Sequence, residues 1–399
     1  MFKIVKELKA KGISIVYVSH RLEELPIICD RISVYRDGHY IKTLNIEDAP
    51  KQVIIENMVG KHMTQTEQVR CYTDEVLLEA RNFSSGKKFQ DINITLHKGE
   101  ILGIAGLAGA GRTEFVRALF GADPKESGQV FIEGKEVHIR SPKDAKKAGL
   151  GFITEDRKEE GLILNMDLHT NVGMAILEQL KKGFSLDLKR ESVLMDEYIK
   201  SLSIKCRDSN QKAKALSGGN QQKVVIGKWL NTDPELLILD EPASGLDPRA
   251  RYEFKEIIRQ LRKEGRTIMI SSHILSDLSE MCTDICIIDE GSCVMEGSVD
   301  EIEYHMITAS PLVIRTAGRQ EDAIRLIRQN EMVETLSYNE NEIQAVFKGE
   351  REDEVMLLHE LMAADIPVYS FGRDRSSLET LFMQITDREV KEHAHESGL

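Results

Sequence analysis

Residues 8–38 and 261–291 are two copies of one pattern. At a constant offset of 253, Leu8 matches Leu261, Gly12 matches Gly265, Ile15 matches Ile268, and Ser19 and His20 match Ser272 and His273. The match continues through Leu25/Leu278, Cys29/Cys282, Ile32/Ile285 and Gly38/Gly291, without a gap. Self-similarity at so long a period means two related folding units in one chain. The second copy is preceded by a long body that begins near Val76. The same offset puts the opening of the first unit about 180 residues upstream of Met1, so residues 1–60 read as the C-terminal remnant of a first unit.

The local pattern around both copies is strand and helix in alternation. Ile13–Ser19 and Thr267–Ser271 are short β-branched runs, each following a charged amphipathic helix and a glycine stop. Such alternation predicts βαβ units and a largely parallel sheet, an α/β fold. Residues 61–75 are polar and aperiodic and read as a linker, followed by the second unit at 76–307. From 308 to 388 the pattern changes. Leu312–Arg315, Glu342–Phe347 and Pro367–Phe371 read as strands, with amphipathic helices over 319–329 and 351–364, together a small α+β domain. Residues 389–399 form a charged tail, where His393 and His395 read as part of a frayed end rather than a metal site.

Composition narrows the class. The 399 residues are 41% hydrophobic and 30% charged, enough apolar material for packed cores, and this excludes wholesale disorder. A net charge of −13 argues against a nucleic-acid partner. The longest nearly uncharged stretch, Ile101–Gly111, falls far short of the ~20 residues that span a bilayer. Lys3, Lys6, Glu7, Lys9 and Lys11 interrupt the opening residues, which do not read as a signal peptide. The six cysteines contain no CxxC pair. Cys282 and Cys286 lack companions at a zinc-ligand spacing, so all six read as small apolar side chains in a reducing compartment.

The chemistry concentrates at two places. The apolar run Ile101–Ala105 has the character of a strand buried on both faces. It leads into Gly106, Gly109, Ala110, Gly111, Arg112 and Thr113 and then a helical run, the layout of a P-loop. Glycines let backbone amides curl around a phosphate, the helix N-terminus adds its positive end, and Thr113 offers a hydroxyl to Mg²⁺. Arg112 stands where that layout has Lys; it keeps the charge on a bulkier planar group. Downstream, Leu236–Leu239 is an apolar run ending in Asp240 and Glu241. Asp240 suits Mg²⁺ support, and Glu241 suits the orienting or deprotonation of water.

Between the two lies Leu216-Ser217-Gly218-Gly219-Asn220-Gln221-Gln222-Lys223, with Ser217 placed to cap a helix. This run resembles the signature motif of ATP-binding-cassette (ABC) ATPases. Ser244–Asp247 resembles the D-loop of that family, and His273 its switch histidine. Glu155 takes the place of the Q-loop glutamine, and Phe83 falls where an aromatic ring stacks on adenine. His20 resembles the switch histidine of the first unit. Leu216–Lys223, Gly106–Glu114 and Glu155–Lys158 with Gly161 resemble the second half of the tandem ATPase subunits of monosaccharide importers, where a degenerate P-loop is common. After residue 240, Glu241–Phe254, Ser271–Gly291 and the α+β tail look more like exporter-type cassettes.

The resemblance implies an ABC-type P-loop NTPase fold, a mostly parallel sheet with a helical signature subdomain. It implies ATP and Mg²⁺ as cofactors, with Gly106–Thr113 on the phosphates, Thr113 and Asp240 at Mg²⁺, and Glu241, His273 and Glu155 in hydrolysis. Two cassettes close head to tail in this family, so Ser217–Gly219 serve a P-loop on an opposing cassette, with Gln221 in the same signature motif and Asp247 in the D-loop. Its partners are transmembrane permease subunits, a second cassette and, indirectly, a periplasmic or extracellular solute-binding protein. Its place is the cytoplasmic face of the membrane. The expected function is therefore the ATPase subunit of a carbohydrate importer. An exporter-type ATPase with a regulatory tail and a hydrolysis-poor nucleotide-binding protein stay open as alternatives.

Overall fold

The computed structural model describes residues 1–19, 22–36, 38–59, 72–183, 185–302, 304, 310–339 and 342–373. His20, Cys71, most of the expected linker and the charged tail with His393 and His395 lie outside the described residues.

The N-terminal segment holds a helix at Phe2–Ala10, an antiparallel hairpin of β1 (Arg31–Arg36) and β2 (His39–Asn45), and a helix at Lys51–Val59. Leu22, Leu25, Ile32, Val34, Leu44 and Ile54 form its small core. Ile13–Ser19 is not a strand. The run has the right side chains, but among the described residues no strand pairs with it, and a strand needs such a ladder.

The next sheet is antiparallel, built from β3 (Val76–Ser85), β4 (Phe89–His97), β6 (Ser127–Ile132) and β7 (Lys135–Val137), in the order β4-β3-β6-β7. Interleaved in sequence are β5 (Ile101–Ala105) and β8 (Leu150–Ile153), which join the main sheet. A small hairpin of β9 (Lys181–Lys182) and β10 (Ser185–Leu186) follows, within a helical region of Leu168–Gly173, Leu188–Ser201 and Gly218–Leu230. Then come β11 (Leu236–Asp240), β12 (Thr267–Ser272), β13 (Asp284–Asp289) and β14 (Ser292–Ser298). The main sheet runs β14-β13-β5-β12-β11-β8, parallel throughout except for the antiparallel edge strand β14.

The apolar run of β5 is explained by this position. It lies between β12 and β13 with all five residues buried. Ile101 and Ala105 face the core shared with the helical region, while Leu102 and Ile104 face the core shared with the antiparallel sheet. A strand enclosed on both faces has no reason to alternate with polar residues.

The last described unit is an antiparallel sheet of β15 (Leu312–Thr316), β16 (Val333–Tyr338), β17 (Ile343–Phe347) and β18 (Val368–Arg373), ordered β16-β17-β15-β18. Helices at Gln320–Gln329 and Arg351–Ala363 close it over Leu312, Ile314, Ile327, Ala345 and Leu361. The edge strand β16 has no fully buried side chain, which is why its pattern is faint in the sequence. No helix among the described residues is long and apolar enough to cross a membrane.

Candidate functional site

The glycine-rich turn after β5 is built around backbone contacts that leave no room for side chains at Gly106 and Gly111. Gly109 and Gly111 take φ of +85° and +99°, a left-handed conformation suited to glycine. A Cβ on Gly111 would sit 2.4 Å from the Lys88 carbonyl oxygen, and one on Gly106 would sit 2.4 Å from that of Ile288. The Ala110 amide donates to the Leu107 carbonyl at 3.1 Å, closing the turn. Gly111 then caps the helix Arg112–Leu119 without a side-chain bond, so the first-turn amides have no acceptor within the helix. Those amides and the helix dipole suit an anion.

Arg112 reverses the usual picture of a solvated cation. It is 6% exposed, and its Nη1 donates to Glu241 Oε1 at 2.6 Å. Glu241 is equally buried. The same oxygen accepts from the His273 amide at 2.9 Å and lies 2.9 Å from His273 Nδ1. Arg112 Nε is buried with no partner, a donor in reserve. Glu241 also has φ of +42°, a strained backbone for a residue with a Cβ, and its backbone N–H donates a hydrogen bond to the Ser271 carbonyl. Beside this cluster, Thr113 Oγ1 and Ser271 Oγ both donate to Asp240 Oδ1, at 3.1 and 2.6 Å. Burial pushes the Asp240 carboxyl up to about 6, and the charges of Glu155 and Glu241 add to the rise against those two hydrogen bonds.

The structure therefore brings Gly106, Gly109, Ala110, Gly111, Arg112, Thr113, Asp240, Glu241 and His273 together at the ends of β5, β11 and β12. Ligands meet α/β sheets at the carboxyl ends of their strands for this reason. Glu155, exposed after β8, is near enough to act on Asp240 through its charge.

Phe83 is a correction. The expected adenine-stacking ring is 1% exposed, stacked on Phe89 and set edge-on to Phe115 in the core. Lys125 Nζ lies 5.1 Å from its ring centroid. Phe83 sits in the interior because a strand pairing with β4 and β6 turns it inward, and no ring face is open to a base.

Ser217, Gly218, Gly219 and Asp247 form a second group. Ser217 holds the N-cap position of Gly218–Leu230, but its hydroxyl accepts from the Asn220 amide at 2.8 Å rather than from a backbone amide. Gln221, in the same run, is 4% exposed and its Nε2 donates to the Ala213 carbonyl, so it braces the turn from inside. Asp247 is exposed and caps the helix Pro248–Lys263 through the Ala250 amide at 2.9 Å.

Arg157 ties this second group together, and the sequence reading gave it no role. Its Nη1 donates to the Ser244 carbonyl at 3.1 Å. Its Nη2 lies 2.8 Å from where a Cβ on Gly218 would be, which explains that glycine. Burial holds its guanidinium below the usual arginine range. Its place two residues after Glu155 was the available signal. Among the described residues no cluster of three or more His, Cys, Asp or Glu side chains is placed to hold a metal.

Residues 89–244 match the ABC transporter family. A ribose import ATP-binding protein, RbsA, from Bacillus licheniformis is 40% identical over 320 residues, covering 80% of this chain and 64% of that protein. RbsA of Bacillus subtilis is 41% identical over the same length and shares. A putative ribose/galactose/methyl galactoside import ATP-binding protein of Burkholderia cenocepacia is 40% identical over 294 residues, covering 73% of this chain and 57% of that protein. The chain thus spans about two-thirds or less of the length of these relatives. The structure of cbiO1 from Clostridium perfringens, part of the ABC transporter complex cbiONQ, aligns with a TM-score of 0.50 at 20% identity. That alignment covers 64% of this chain and 96% of the other, and bears on the fold alone.

Proposed function

Because this chain carries an ATPase cassette of the ABC transporter family, we propose that it binds and hydrolyses MgATP as the energy-coupling subunit of a monosaccharide importer. The observation that carries the reading is the convergence of Arg112, Thr113, Asp240, Glu241 and His273 on the end of the glycine-rich turn. The names of the relatives support a sugar, ribose first among them.

The amides of the turn and Arg112 bind the β- and γ-phosphates. Thr113 Oγ1 and Asp240 Oδ1 are hard oxygen donors, already within hydrogen-bond distance, and suit Mg²⁺. A Mg²⁺ held there would supply charge neutralisation for the phosphates. Glu241 orients the attacking water and accepts its proton, and His273 holds the Glu241 carboxylate in place. Ser217 and Asp247 are exposed, and Ser217–Gly219 serve the phosphate site of an opposing cassette. Permease subunits and, through them, a solute-binding protein complete the machine at the cytoplasmic face of the membrane.

The test is titration with a fluorescent ATP analogue in Mg²⁺, comparing wild type with Thr113→Ala. Weaker Mg²⁺-dependent binding is expected; unchanged binding overturns the site assignment. A second reading, binding with poor hydrolysis, draws on one observation: Arg112 occupies the carboxylate that hydrolysis requires. Single-turnover phosphate release with an opposing cassette present separates the two.

A further inference from the structure

The antiparallel hairpin of β13 and β14 holds two free cysteines whose sulfurs meet. Cys286 Sγ and Cys293 Sγ are 2.9 Å apart. A disulfide bond is about 2.05 Å long, so less than about 1 Å of approach separates these thiols from a covalent link. The register explains the contact. A bulge between Ile287 and Ile288 sets Ile287 opposite Met295 but Ile288 opposite Cys293. The extra residue draws Cys293 along its strand toward Cys286.

The first repeat shows that this hairpin does not need the cysteines. β1 and β2 carry the same bulge at the matching place, between Val34 and Tyr35. At the positions of Cys286 and Cys293 they have Ser33 and Tyr40, and both hydroxyls bond to Thr43 instead. The paired thiols are thus an addition to a fold that closes without them.

Their location matters for the phosphate loop. The turn between the two strands lies directly on it. The Gly291 amide donates to the Ala110 carbonyl at 2.9 Å, and the Gly291 carbonyl accepts from Gln90 at 2.8 Å. The Gly291 Cα lies 3.3 Å from where a Cβ on Gly111 would be, and the Ile288 carbonyl crowds Gly106 in the same way. Any change in the spacing of β13 and β14 is passed to Gly106–Gly111 through these contacts.

We propose that Cys286 and Cys293 are a redox-modifiable dithiol that a hydroperoxide oxidises to a disulfide, and that the link alters nucleotide binding through the turn at Gly291. Cys293 is the partly exposed member and Cys286 the buried one, which assigns their order of reaction. The hydrogen bond from Cys286 holds the Cys293 thiol below its usual range and pushes Cys286 up. The Cys293 thiolate attacks one peroxide oxygen, the O–O bond breaks, and the sulfur becomes a sulfenic acid as hydroxide leaves. Cys286 sulfur then attacks the Cys293 sulfur, losing its proton and expelling the sulfenic oxygen as water. Two thiols and one hydrogen peroxide give one disulfide and two waters. Each sulfur loses one electron.

The coupling to nucleotide rests on the proposed phosphate-loop role of residues 106–113; the disulfide itself does not. The full chain is treated with equimolar hydrogen peroxide, its thiol content and linked peptides are read by mass spectrometry, and its affinity for a fluorescent ATP analogue is titrated before and after dithiothreitol. The expected result is a Cys286–Cys293 peptide with two hydrogens lost and a change in affinity of about fivefold or more. Reduction should reverse both, and both should be absent in Cys293→Ser and Cys286→Ser. Intact thiols, a link to another cysteine, or a Cys293 carried on to the sulfinic acid overturns the modification site. A correct link with unchanged affinity overturns the coupling. If the reduced chain binds no nucleotide, the phosphate-site reading has failed; amide hydrogen exchange over 106–113 then decides the coupling, and unchanged exchange overturns it.

Discussion

Two copies of one sequence pattern end up in different states in this molecule. Thr267–Ser272 is a fully buried strand between β5 and β11. Ile13–Ser19, its counterpart, forms no strand, and Val16 and Val18 are 93% and 92% exposed. The hairpins that follow agree down to the bulge. The difference teaches where strand structure comes from. A hairpin carries both of its strands within a few residues and forms in either copy. A central parallel strand depends on partners that arrive from far along the chain, and β-branched side chains cannot replace them.

The contrast is broken most directly at the matched isoleucines. Ile268 is fully buried, so Ile268→Asp places an unpaired charge in the core and is expected to cost about 4 kcal/mol or more. Ile15→Asp, at 40% exposure, is expected to stay within about 0.5 kcal/mol. Urea unfolding of both variants checks this. Comparable losses would mean that residues 13–19 are covered in solution.

A second contrast concerns chemistry. Glu241→Gln should lower ATP turnover about 10³-fold while leaving nucleotide affinity near wild type, since it keeps the shape and removes the base. His273→Ala should lower it by a smaller factor, and His20→Ala in the other copy should leave it unchanged. Phosphate release with an opposing cassette present gives the comparison. A loss at His20 equal to that at His273 would assign hydrolysis to both copies.

A third test uses pH. The Asp240 carboxyl is raised from 3.8 to about 6 in the fold, chiefly by burial. Its contribution to stability is therefore complete below about pH 3.8 and lost as pH rises through about 6. Asp240→Asn should match wild type near pH 4 and exceed it by roughly 2–3 kcal/mol at pH 7. Calorimetry should place that gain in the cassette's transition and leave the N-terminal segment unaffected. A gap independent of pH would contradict the buried-acid account.

The smallest effect is expected at Arg112→Lys. A compact ammonium releases Glu241 more readily than a planar fork bound at 2.6 Å, so turnover at saturating ATP should rise, by up to about tenfold. Equal rates would mean that the Arg112–Glu241 pair does not restrain the site.

These contrasts also show what was legible in the sequence. The glycine-rich turn was readable because its conformational requirements are local: a doubly buried strand is an uninterrupted apolar run, and left-handed positions favour glycine. Asp240 and Glu241 stand at the end of a recognisable buried run, whereas His273 was singled out only by its resemblance to a family motif. Phe83 misled because an aromatic residue at the right interval says nothing about which way a strand turns it. The Arg112–Glu241 pair, the Arg157 link to Ser244 and the Cys286–Cys293 contact depend on tertiary distances or on a register shift, and no spacing in the chain announces them. The strand β16 was missed because an edge strand with no fully buried side chain has little apolar pattern to display.

The left-handed backbone of Glu241 has a practical consequence for anyone engineering this protein. A Cβ-bearing residue there costs on the order of 1 kcal/mol that glycine would recover. A programme that ranks positions by thermal gain alone would therefore select position 241 early. It would relax the backbone and discard the one carboxylate that both Arg112 and His273 are arranged around. Thermostability screens of this chain need a turnover readout beside the melting curve, or their best hits will lack the carboxylate on which the proposed hydrolysis depends.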